Sequence, residues 1–149
     1  MDAFEVETVL APVDATDESW AATEYAVAVA DRYDADLHVL DVLGEDVTRA
    51  IESGDVDGDD VAADHRAFVE EVADRARESG VAATGSTAYG FSTTRKTQHP
   101  GSVILDVAED LDADFLVVPR EPSESGTPDV LEKAAEYVLL YASQPVLSV

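Results

Sequence analysis

The chain contains no cysteine, which excludes disulfides, thiolate nucleophiles and cysteine-ligated zinc. Positive charge is also scarce. Nine lysines and arginines stand against thirty-three aspartates and glutamates, and Lys96 and Lys133 are the only lysines. Nucleic-acid binding needs clustered positive charge, so nucleic acid is not an expected partner. No apolar run approaches the roughly 18 residues of a spanning helix, and no membrane insertion is expected. The opening MDAFEVE lacks the basic-then-apolar order of a secretory signal, which makes the cytoplasm the expected location. Three scattered histidines, His38, His65 and His99, do not suggest a metal site, and none is expected.

What is present is a large apolar fraction and a large negative charge. Hydrophobic residues make up 46% of 149 positions, enough for one packed domain over 1–149 and too few residues for two. The formal charge of −24 repels itself at low ionic strength. At about 1 M salt the screening length falls to about 3 Å and most of that repulsion disappears. A solvated acidic surface adapted to a salt-rich, halophilic cytoplasm is the expectation; a surface built for a cationic partner is the competing one.

Periodicity alternates along the chain. ETVLAPVD (7–14) is a short apolar run of the kind buried on both faces of a sheet. Residues 15–34 switch to helical spacing through Ala22, Tyr25, Ala26, Val29 and Tyr33, with Thr16 or Asp17 placed to cap. A second strand covers 35–43, and 44–60 has no sustained period and reads as a loop with at most a short helical turn. A helix over 61–79 carries Val61, His65, Phe68, Val69, Val72 and Ala76 on one face, and Gly80 ends it. A weak strand (81–90), a polar loop (91–102) and a helix (103–112) with Val103, Ile104, Val107, Ala108 and Leu111 inward follow. A fourth strand (113–119), a loop, a helix over 128–142 begun by Thr127 and Pro128, and a last strand (144–149) complete the chain. Strands alternating with helices predict an α/β fold with a parallel sheet, right-handed crossovers and helices on both faces. In such sheets ligands bind beyond the carboxyl ends of strands where the strand order reverses.

The segments TVLAPVDATDESWAATEYAVAVADRYDADLHVLDV, DADFLVVP and AAEYVLLYASQPVLSV resemble the universal stress protein family. The likeness covers nearly the whole chain and is vague between about 44 and 100. It implies a five-stranded parallel sheet in the order 3-2-1-4-5, Rossmann-like and similar to the adenine nucleotide α-hydrolases, with the reversal between strands 1 and 4. ATP-binding members carry G-x2-G-x9-G-(S/T) after the fourth strand. Laid on this chain, the first two glycines fall on Pro119 and Pro122, and the last glycine and hydroxyl fall on Glu132 and Lys133. Proline has no N–H and a fixed φ, so it cannot replace a glycine that turns its amide to an anion. A carboxylate at 132 would oppose phosphates. The resemblance places the adenosine contacts at Pro12, Val13, Asp14 and Val42. Asp14 has two readings: an acceptor for ribose hydroxyls, or a cap for the helix starting near 16. It also implies a homodimer through the last strand, with Val146, Leu147 and Val149 as contacts; an apolar edge strand invites such pairing.

The other constellations are weaker. TTRKTQH holds Arg95, Lys96 and His99; Arg95 and Lys96 with Arg120 would make a replacement anion site, or would pair with surrounding carboxylates. DVDGDD (55–60) departs from the calcium-loop pattern and reads as a solvated acidic loop. His38 lies on a strand and reads as packed or partnered. Trp20 and the tyrosines fall on helical faces and read as packing. No histidine–carboxylate spacing nominates a nucleophile for YGFSTT. The expected function is a regulatory stress-response domain, homodimeric and non-catalytic, without a cofactor and without ATP held by the glycine motif. The alternative is a nucleotide- or nucleoside-binding switch using Asp14 and Val42 with the non-standard anion site.

Overall fold

The computed structural model describes residues 4–14, 17–89, 99–119 and 130–149. The elements run β1 (Thr8–Val13), α1 (Asp17–Tyr33), β2 (Asp36–Leu43), α2 (Glu45–Ser53), α3 (Gly58–Glu78), β3 (Ala83–Tyr89), α4 (Pro100–Asp110), β4 (Phe115–Val118), α5 (Val130–Tyr141) and β5 (Val146–Ser148). The strands form one sheet in the order β3-β2-β1-β4-β5, parallel throughout. This is the topology that the alternating pattern and the resemblance imply.

The central strands read as continuous apolar runs because both their faces are covered. Val9, Val13, Leu37 and Val39 pack with Ala26 and Ala30 of α1 and with Val69, Val72 and Ala76 of α3. Leu10, Leu40, Val42 and Leu116 pack on the other face with Ile104 and Ala108 of α4 and with Ala134 and Val138 of α5. The small residues on the buried helical stripes let the helices sit close to the sheet.

Three helices end in the same manner. Asp34, Gly80 and Asp112 take positive φ (54°, 87° and 53°) just past α1, α3 and α4. The next residue then donates its N–H back: Ala35 to Ala30, Val81 to Ala76 and Ala113 to Ala108, at 2.8, 3.1 and 2.8 Å. These 6→1 bonds satisfy carbonyls at the helix ends. The turns aim Ala35, Val81 and Ala113 into the core, each no more than 5% exposed.

Several expectations are corrected. The stretch 44–60 holds α2 and the start of α3. Gly54, at φ 82°, ends α2, and the Asp57 carboxylate accepts from the amides of Asp59 and Asp60 to begin α3. That acidic loop is a capping device, and no cluster of three or more metal-ligating side chains occurs among the described residues. Residues 100–102 belong to α4, because the His99 Nδ1 accepts from Gly101 N–H and Pro100 takes a first-turn position. Leu111 is exposed, as are Tyr25, Tyr33 and Tyr141, while Tyr137 stacks on His99 at 4.7 Å. Trp20 does pack, edge-on to Phe68 and under the Arg75 guanidinium. Thr16, Thr127 and Pro128 lie outside the described residues. No helix among the described residues is long and apolar enough to cross a membrane.

Candidate functional site

The strand order reverses between β1 and β4, so the site predicted for such sheets is the crevice at their carboxyl ends. β1 and β4 pair at Val9–Phe115 and Leu10–Leu116, and both strands run on beyond that pairing, to Val13 and Val118. Pro12, Val13 and Pro119 are buried there, and Asp14 follows β1 half-buried and engaged in an interaction of its own. Val42 comes from β2, 1% exposed, and joins the cluster on the α4–α5 face. The structure thus brings Pro12, Val13, Asp14 and Val42 to one end of adjacent strands.

Pro119 closes β4 at the same end. Pro122, Arg120, Arg95 and Lys96 lie outside the described residues. Glu132 and Lys133 are backbone positions in the first turn of α5. His99, grouped in sequence with Arg95 and Lys96, instead serves as the α4 cap, with its Nδ1 occupied by Gly101. His38 is partnered as expected: Nδ1 bonds the Thr84 hydroxyl and Nε2 bonds the Ser86 hydroxyl, both at 2.8 Å. Burial lowers its pKa from 6.5.

A pair not singled out from the sequence lies directly behind this end. Asp41 is fully buried on β2, and its Oδ2 bonds the Nδ1 of His65 on α3. Its Oδ1 is buried with no hydrogen-bond partner among the described residues. Desolvation raises the Asp41 pKa; the His65 charge and hydrogen bond oppose that rise, and the nearby Asp14 charge adds to it. The sequence signal was a single carboxylate inside the apolar run LHVLDVL, a residue type almost never buried without a partner.

At the far edge of the sheet, Val146, Leu147 and Val149 are each half-buried. Val146 packs against the cluster of Leu10, and Leu147 and Val149 pack against the cluster of Val9. Immediately before this strand, Leu139, Leu140 and Tyr141 of α5 are 51%, 70% and 65% exposed.

A family model described as the universal stress protein family matches residues 5–149. No curated protein matches the chain in sequence. Among solved structures, a universal stress protein A from Lactobacillus plantarum shares 22% identity and a TM-score of 0.74, with 99% of each chain covered. A universal stress protein crystallised in complex with cAMP shares 21% identity and a TM-score of 0.69 over 97% of each chain. One from Archaeoglobus fulgidus, in complex with dAMP, shares 18% identity and a TM-score of 0.65 over 98% of each chain.

Proposed function

The chain belongs to the universal stress protein family, and from that premise we propose a non-catalytic, homodimeric regulatory domain that does not hold ATP through the family's glycine motif. The observation that carries this reading is the proline at the end of β4. Pro119 is buried at the switch point, where a phosphate cradle would need a free amide, and proline has none. In the sequence, the second glycine position is also a proline, Pro122, and the third is Glu132, so the motif lacks a second amide donor and gains an acidic residue.

A second reading has its own support. Two solved relatives were crystallised with cAMP and dAMP, ligands with one phosphate rather than three. The residues that the resemblance puts on the adenosine side, Asp14 with Pro12, Val13 and Val42, share one end of β1 and β2, where Asp14 is a carboxylate suited to a ribose. In that reading Arg95, Lys96 and Arg120 supply the phosphate contacts in place of glycine amides, and the domain is a nucleotide- or nucleoside-binding switch.

The dimer is supported by the exposed edge of β5 and the adjoining Leu139, Leu140 and Tyr141, an apolar strip at the end of α5. Calorimetric titration of the purified chain in concentrated KCl with ATP, AMP and adenosine separates the two readings. Heat from none of the three supports the ligand-free regulator; saturable heat from AMP or adenosine, lost in Asp14→Ala, supports the switch. Tight ATP binding, or stoichiometric ATP released from the freshly purified protein, would sink the first reading.

A further inference from the structure

We infer that a cavity on the α3 side of the sheet, facing away from Val42, binds a small apolar monocarboxylate. The cavity has a volume of about 440 Å³ and is walled by Leu43, Ile51 and Val61, with His65, Arg66 and Thr87 among its polar residues. That size is in the range of small-molecule sites, which combine apolar walls with a few convergent polar groups.

Its geometry comes from one close approach. Val69 of α3 lies against Gly85 of β3, where a Cβ would stand 2.1 Å from the valine Cγ1. One helical turn earlier, His65 falls over β2 and meets Asp41. Thr87 is two residues beyond Gly85 and pairs in register with Asp41, so it faces the same side.

The pair then fixes what the cavity offers. Asp41 is fully buried, and burial penalises a lone carboxylate. Two arrangements leave the pair without net charge: an imidazolium beside a carboxylate, or a neutral imidazole beside a carboxylic acid. They differ only in which side of the Nδ1–Oδ2 bond holds the bridging proton. In both, the Nε2 of His65 carries a hydrogen. With Nδ1 committed to Asp41, the ring that lines the cavity turns its Nε2 to it, a donor whenever the pair shares one proton. The Thr87 hydroxyl and the Arg66 guanidinium add two more, which together suit a carboxylate better than an amine. Glu70 also lines the cavity and disfavours a second anionic group on the ligand. The remaining charge acting on the pair is Asp14, at the end of β1. α2 gives the wall Ile51, and β3 gives it Gly85, Ser86 and Thr87, none of them charged.

The test uses the full chain, isotope-labelled, in concentrated KCl, titrated with isovalerate and separately with its neutral amide, isovaleramide, by amide chemical shift. Isovalerate is expected to give saturable shifts in 61–70 and 85–87, with isovaleramide about tenfold weaker. His65→Gln is expected to weaken isovalerate about tenfold. Arg66 is exposed, so Arg66→Gln keeps the fold and is expected to weaken it severalfold should His65→Gln unfold. Absence of saturable shifts in these segments, or equal binding of acid and amide, would overturn the assignment.

Discussion

Gly85→Ala tests how closely α3 is seated on the edge strand. An added Cβ would lie 2.1 Å from Val69 Cγ1 and 3.4 Å from the Val39 carbonyl oxygen. The first contact is far inside any real separation, and Val69 is a β-branched residue with little χ1 freedom. It is only 5% exposed and borders the α3-side cavity, so relief requires a turn of the valine toward that cavity or a lift of α3. Overpacking of this kind costs about 1–3 kcal/mol, and alanine returns about 0.5–1 kcal/mol over glycine in a strand interior. The net expectation is a loss of up to about 2.5 kcal/mol, toward the upper end for so short a contact, read as about 2–4 °C in melting temperature for each kcal/mol at this chain length. Val69→Ala alone should also destabilise, by about 1.6 kcal/mol for its two lost carbons plus a cavity contribution. In the double variant the new methyl occupies the space that the valine vacated, so the Gly85→Ala penalty should vanish or reverse. The cycle would then show a coupling of about 1–3 kcal/mol, the overpacking cost removed. Urea and thermal unfolding of all four proteins at one high KCl concentration supply the measurement. A Gly85→Ala protein as stable as the parent, or one whose penalty is the same with and without Val69→Ala, would refute the account of that contact.

Three further outcomes are expected. Dialysis from about 3 M to about 0.1 M KCl should abolish the cooperative melting transition seen by circular dichroism, because screening of the −24 charge is lost; an unchanged melt argues against a halophilic surface. Asp41 has its carboxyl pKa raised above 3.8, chiefly by burial. The folded state therefore holds its proton to higher pH than the unfolded state does, and Asp41 subtracts stability increasingly as pH rises from about 3.8 through the folded value. Denaturation at a series of pH values should show Asp41→Asn gaining on the parent over that window, and a gap that is flat or closes with rising pH contradicts the burial argument. Leu140 is 70% exposed, so Leu140→Glu should shift sedimentation from dimer to monomer with little change in melting; a parent that sediments as a monomer in high salt removes the dimer altogether.

The parallel sheet and both helical layers were legible because each element announces its period, and Val9, Leu10, Leu37 and Leu40 sit in runs that only a doubly covered sheet produces; the strand order came from the family resemblance and not from the pattern. The short α2 was not, since its nine residues carry too little apolar repetition to stand out; its limits are set by Gly54 and by Asp57, which the composition disguised as an acidic loop. Asp14 and Val42 were placeable from their positions at strand ends. His65 was assigned to the inward face of its helix, yet its partner could not be named. Asp41 lies 24 residues earlier, and which helical turn crosses which strand position depends on the packing of Val69 over Gly85. His99 illustrates the converse: nearness in sequence to Arg95 and Lys96 suggested anion binding, whereas the backbone amide two residues on had prior claim to its ring nitrogen.

The endings of α1 and α4 show how far acidity reaches into this chain. Left-handed backbone is cheapest for glycine, and α3 uses one, while α1 and α4 place Asp34 and Asp112 there. A carboxylate at that end of a helix also faces the negative pole of its dipole. Both sites therefore keep a carboxylate against the local preferences of conformation and field alike. Among the described residues they are the two positions where exchange to glycine would relax the turn and thin the charge at once.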